Sequence, residues 1–307
     1  MKHILVTGAM LIAFFFLLPH ATAQNTSCTV DDLAYKPTVD RWHRSMKNIG
    51  VQGSCWIGPL LGGGYIDKKH KNGRRDTIIF APPNVNFSNP VTVIFWWHGL
   101  GGFSEKEFTK RILPNVAHLS LQKRNFVLVI SELAWSKNTS TPRSRQGRVW
   151  RGRGVSEDLN VYYKETLRVV ASHIVPKHVC KQRGWCGFSP ASVVIIGHSA
   201  GGSAIRSAAR SGHLDVIQPN RIIFSDAGYG RWTDGAWYYH VRNHPGCEFV
   251  LLVRKWDTPH RHTVRFLKRF GRHVPKNIHT KVFSRHKFTH SSIGNQALLW
   301  AFKPLDF

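Results

Sequence analysis

The chain has 307 residues and a formal charge of +26 at neutral pH, with 43 Lys and Arg set against 17 Asp and Glu. Roughly 280 residues remain beyond an N-terminal leader, enough for one α/β domain with a full-sized core. Internal repeats and low-complexity linkers are absent from the sequence, which excludes solenoids and beads-on-a-string architectures.

Residues 1–23 hold Lys2, an apolar run through Ile12, Phe14, Phe15, Phe16, Leu17 and Leu18, and then Ala21-Thr22-Ala23. This n-region, h-region and small-residue site predict an export signal cut at about Gln24. Pro19 and His20 interrupt the run, which is short for a membrane span. The expectation is a secreted or periplasmic protein with a single domain over 24–307, residues 24–75 forming an N-terminal extension packed on it. All five cysteines (Cys28, Cys55, Cys180, Cys186 and Cys247) follow the signal, in a compartment where disulfides persist. Cys180 with Cys186 and Cys28 with Cys55 are the expected bridges, leaving Cys247 over; the spacings do not suit a zinc site. Asn25, Asn86 and Asn138 begin N-x-S/T sequences that matter only in a glycosylating host.

Predicted strands at 77–80, 91–97 and 126–130 flank a helical stretch near 105–119. The second strand ends in Trp97-His98-Gly99-Leu100-Gly101-Gly102. Residues 143–154 read as a basic loop, and Ser156 is the expected cap of a helix over 157–173. The apolar, β-branched run Val193–Ile196 then stops at Gly197-His198-Ser199-Ala200-Gly201, followed by an Ala/Ser/Arg-rich helix over 200–210. Strand, tight turn and helix are the context that G-x-S-x-G requires, with Ser199 raised clear of the sheet as a nucleophile. Further strands are expected at 222–224, 249–253 and 282–283, and helices at 232–241, 262–270 and 293–302. Alternation of this kind predicts a mostly parallel sheet with helices on both faces. Active residues then collect at the carboxyl ends of the strands.

That rule selects the other candidates. The amides of Leu100 and Ala200 would form an oxyanion hole, each donor contributing about 3 kcal/mol. His290, before the final helix on a loop expected to be mobile, is the candidate base, with His286 second. The acid is Asp226, in Asp226-Ala227-Gly228-Tyr229-Gly230, or Asp257, in Lys255-Trp256-Asp257-Thr258-Pro259; both follow strands and both stay open. Trp97, His98, Tyr229 and Trp232 are candidate pocket walls. His260 and His262 form an H-x-H pair without a third ligand at useful spacing, so no metal is expected.

The order of Ser199 elbow, acid and His290 resembles the α/β-hydrolase superfamily over about 77–302, in particular its secreted esterase and polyester-depolymerase branches. The resemblance implies an α/β-hydrolase fold and a cofactor-free serine hydrolase that cleaves carboxylic esters through an acyl-enzyme. Two other readings use the same scaffold: an acyltransferase, and a non-catalytic polyanion- or envelope-binding protein. The positive charge is not part of the superfamily pattern. It predicts attraction to an acidic polymer or an anionic lipid surface, while no specific nucleic-acid motif is present.

Overall fold

In a computed structural model the described residues are 27–34, 36–50, 52–61, 76–100, 112–133, 158–184 and 186–304. They contain one nine-stranded sheet: β1 (Ser27–Val30), β2 (Ser54–Pro59), β3 (Asp76–Ala81), β4 (Thr92–Trp97), β5 (Phe126–Ser131), β6 (Ser192–His198), β7 (Arg221–Ser225), β8 (Glu248–Arg254) and β9 (Ile278–Phe283). The spatial order is β1-β2-β3-β5-β4-β6-β7-β8-β9. From β5 to β9 every neighbour is parallel, while β3 runs antiparallel to both β2 and β5.

Parallel strands need covering crossovers, and the helices supply them on both faces. They are α1 (Lys36–Ile49), α2 (Leu113–Leu121), α3 (Leu159–Val169), α4 (Lys177–Arg183), α5 (Gly201–Arg210), α6 (His213–Ile217), α7 (Trp232–Tyr239), α8 (Thr258–Lys268) and α9 (His290–Trp300). Because side chains alternate across a strand, β4 sends Phe95 and Trp97 to one layer and Ile94 and Trp96 to the other. The first layer also holds Tyr162 of α3, Ile205 of α5 and Phe266 of α8. The second packs Trp42 of α1, Val116 of α2 and Leu298 of α9. The predicted strand order along the chain and the double-sided covering are therefore both present.

The N-terminal segment is more than a packed extension, since β1 and β2 are hydrogen-bonded members of the sheet. Cys28 and Cys55 face each other in the register of β1 and β2 and are joined by a disulfide. A second disulfide links Cys180 to Cys186, and Cys247 is free and buried. Burial pushes the Cys247 thiol up to about 12, so it stays protonated at neutral pH.

Several boundaries differ from expectation for local reasons. Asp158, not Ser156, caps α3: its carboxylate accepts from the amides of Asn160 and Val161 at 2.8 and 3.1 Å. Ser156 lies outside the described residues, as do 143–154 and the first part of the helix expected at 105–119. Helix α8 starts four residues early because Pro259 is favourable in the first helical turn. Strand β9 extends back to Ile278 through His279, Thr280 and Lys281, an edge strand whose polar residues hide it from a search for apolar runs. Among the described residues no helix is long and apolar enough to cross a membrane.

Candidate active site

Ser199 follows β6 directly and has φ 52°, a left-handed conformation unusual for a residue with a Cβ. Its two flanking glycines are required by contact. A Cβ on Gly201 would lie 2.1 Å from the Trp97 carbonyl oxygen, and one on Gly197 would lie 2.8 Å from the Gly201 carbonyl group. The turn can therefore be this tight only with both side chains missing. Strain of this kind costs about 1–3 kcal/mol and persists where surrounding packing enforces it. The Ser199 amide is held by the Ser225 carbonyl at 3.1 Å, which ties the elbow to the tip of β7.

The expected oxyanion turn does lie beside the elbow, because β4 pairs directly with β6. A Cβ on Gly99 would stand 2.9 Å from the Ser199 Cβ and 3.4 Å from its hydroxyl oxygen. Leu100 is exposed and Ala200 precedes the first residue of α5, where the amides of a first helical turn have no intrahelical acceptor.

Asp226 stands one residue past β7, also in the left-handed region (φ 46°), and is fully buried. One carboxylate oxygen accepts from His290 Nδ1–H at 2.6 Å; the other accepts from the Arg254 amide at 3.2 Å. Both acceptors are thus used by donors that fix the carboxylate's orientation. His290 is the first residue of α9 and is not on a mobile loop. Thr289 caps that helix reciprocally with Ser292, at 3.1 and 2.8 Å, so the imidazole sits on a rigid helix start. Its ring packs at 4.8 Å against the ring of His198, the residue immediately before Ser199. His198 donates from Nδ1 to the Ser225 carbonyl at 3.0 Å, and Gly294 in α9 leaves room for that ring.

Tyr229 joins the same group. Its ring meets His290 edge-on at 6.5 Å and Trp232 edge-on at 5.5 Å. Burial first, and then the nearby Asp226 charge, push its phenol above the ordinary value, so it is neutral at any ordinary pH.

Asp257 has a different partner. Its two carboxylate oxygens take the Arg254 guanidinium in a fork, at 2.5 and 2.9 Å, and this pairing holds that guanidinium charged. Arg254 in turn gives its amide to Asp226. Asp257 therefore acts on the strand tip that orients Asp226.

Two predicted pocket walls are corrected. Trp97 is buried in the core layer that it shares with Ile205. His98 is buried too, donating from Nδ1 to the Gly99 carbonyl at 2.7 Å and accepting the Leu133 amide on Nε2 at 2.9 Å. It pins the glycine turn to the end of β5 and has no face left for a substrate. His286 is exposed, and His260 accepts weakly from the Trp256 amide at 3.4 Å. Trp232 packs edge-on against Tyr229 at 5.5 Å. Sequence reasoning did not find the roles of Arg254 and His198. A backbone amide and a ring packed against another ring leave no mark in residue spacing.

A parallel sheet covered on both faces thus carries a strained serine elbow, then an acid at the next strand tip, then a histidine far down the chain, in that order. The chain has the α/β-hydrolase fold. No family model and no curated protein matches its sequence. Solved structures with a similar fold include a ferulic acid esterase, at 11% identity and TM-score 0.49, covering 81% of this chain and 97% of that one. A feruloyl esterase module from Clostridium thermocellum gives 10% identity and TM-score 0.48, covering 80% and 87%. The esterase LipW from Mycobacterium marinum gives 11% identity and TM-score 0.42, covering 87% of each chain. With TM-scores below 0.5 these likenesses carry no function to this chain, whose chemistry follows from its own residues.

Proposed function

We propose that this protein is a serine hydrolase that cleaves carboxylic esters through an acyl-enzyme. The observation that supports it is the 2.6 Å bond between His290 and the buried Asp226, with the His290 ring 4.8 Å from the ring of His198, which precedes the strained Ser199 turn. In this reading His290 Nε2 takes the Ser199 proton as the hydroxyl attacks the ester carbonyl. Asp226 keeps Nδ1 protonated and stabilises the imidazolium that results. Amides of Leu100 and Ala200 hold the tetrahedral oxyanion, and the proton on His290 passes to the leaving alkoxide. Water, activated by the same imidazole, releases the acid; another alcohol in its place would make the enzyme an acyltransferase. Tyr229, edge-on to His290, borders the acyl site in this reading.

Residues 1–23 and the two disulfides support export to an oxidising compartment. The charge balance supports an acidic polymer or anionic lipid surface as the place where the enzyme works.

The test is p-nitrophenyl acetate turnover together with fluorophosphonate labelling. Wild-type protein is expected to turn over and to carry the label on the Ser199 peptide, and Ser199→Ala to lose both. Equal turnover in Ser199→Ala would overturn the assignment and favour a binding protein on a hydrolase scaffold.

A further inference from the structure

Away from the elbow, Asp215, His240 and His244 form a second cluster of chemically capable side chains. Asp215 lies on α6, which leads into the first residue of β7, while His240 and His244 lie between the end of α7 and the start of β8. These are the amino-terminal ends of strands whose carboxyl ends carry the catalytic candidates. The cluster is thus on the opposite side of the sheet from Ser199.

Its geometry converges on one oxygen. His240 Nδ1 is 2.7 Å from Asp215 Oδ1, and His244 Nε2 is 3.8 Å from the same atom. The two imidazoles stack with centroids 4.1 Å apart and planes 22° apart. One ligating atom from each of the three residues lies within 4.8 Å of the others. His244 donates from Nδ1 to the His240 carbonyl at 2.9 Å, which leaves its Nε2 with a lone pair when the ring is neutral. A lone pair and a carboxylate oxygen then face each other with no proton between them. A backbone carbonyl on the far nitrogen is also the usual way to orient a metal-binding histidine.

We propose that Asp215, His240 and His244 bind a borderline divalent cation, with zinc the best match. Zinc–nitrogen and zinc–oxygen bonds of about 2.0–2.2 Å put tetrahedral ligand atoms roughly 3.4 Å apart. The two histidine–carboxylate separations, 2.7 and 3.8 Å, bracket that value, and the third pair lies within 4.8 Å, so side-chain rotation has to draw the two imidazole nitrogens to that spacing. The proton that His240 Nδ1 donates to Asp215 moves to Nε2, a buried atom with no hydrogen-bond partner in the present arrangement. No net proton is released from that ring. Asp215 and His244 are 49% and 33% exposed, so a water can complete the fourth position. The bound ion would clamp α6 to the α7–β8 connection, and it takes no part in ester cleavage.

The experiment is calorimetric titration of the full secreted chain with zinc chloride, paired with thermal unfolding. One zinc per chain is expected, with a raised melting temperature in its presence. Asp215→Asn and His244→Gln are each expected to weaken binding at least tenfold and to abolish the thermal shift, while p-nitrophenyl ester turnover stays at the wild-type level. That turnover also reports folding of the variants. No uptake at millimolar zinc, or uptake of unchanged affinity in both variants, overturns the site, because the remaining histidines would then account for the binding.

Discussion

At the carboxyl tips of β7 and β8 stand two carboxylates that the sequence leaves equivalent, each following an apolar strand. Asp226 is fully buried and reaches His290, whereas Asp257 is partly exposed and forked onto Arg254. The two substitutions therefore separate cleanly. Asp226→Asn is expected to lower kcat by about 10⁴, since a neutral amide holds the wrong histidine tautomer. Asp257→Asn is expected to cost less than about tenfold, because Arg254 keeps its place in β8 and its amide on Asp226. Steady-state kinetics on one p-nitrophenyl ester decide between them; equal losses would mean that Asp226 is not the acid. Cys247 gives a second residue-scale prediction. Its folded-state value of about 12 lies above the ordinary thiol value of 9.0, so its contribution to stability is complete below pH 9 and is lost as pH rises toward 12. Cys247→Ala should flatten the alkaline limb of a melting-temperature profile, and the native thiol should resist iodoacetamide at pH 8 until the protein unfolds.

The strand-turn-helix element around Ser199 depends on backbones meeting where a side chain would normally stand. A methyl on Gly201 would collide with the carbonyl oxygen of Trp97, an atom fixed in β4 and unable to swing aside. Gly201→Ala is accordingly expected to destabilise the fold by about 2–3 kcal/mol or more, measured by urea unfolding, and to abolish fluorophosphonate labelling. An unchanged midpoint would show that β4 can retreat. This element was legible in the sequence because its local requirements coincide: β-branched residues before the turn, glycines on either side of the serine, and small residues in the helix. Strands β4 to β8 were legible for the same reason, being apolar on both faces. Elements whose identity depends on distant neighbours were not. Strand β2 is Ser-Cys-Trp-Ile-Gly-Pro, a short stretch ending in two residues that weaken a strand, and it holds its place by pairing with β3. At the site, His290 could be read from its position before the last helix. Which of the two carboxylates meets His290 could not, because that depends on how the packed sheet places the tips of β7 and β8.

For the whole molecule, the excess of cations is unevenly placed. No Asp or Glu occurs in residues 258–305, against ten Lys and Arg. That tract includes α8, the turn after it and the edge strand β9, so its charges gather at one end of the sheet. Lys268, Arg272 and Lys276 are exposed there, and one of their neighbours, Arg269, is already occupied by Asp234. If the protein works on an acidic surface, as proposed above, these exposed cations are the ones a polyanion would meet at this end. Scattered charge would give only diffuse attraction. Retention on heparin should fall steeply with salt, since the screening length shrinks from about 10 Å at 0.1 M to about 3 Å at 1 M. Changing Lys268, Arg272 and Lys276 to Glu should shift elution to much lower salt while kcat on a neutral ester stays constant. The matched control changes Lys36, Lys47 and Lys123, exposed residues elsewhere on the surface, by the same total charge. If both triple variants elute alike, net charge alone governs association and the α8–β9 end has no special role. If only the first variant elutes early, the protein approaches acidic surfaces through the end of the sheet where β9 lies.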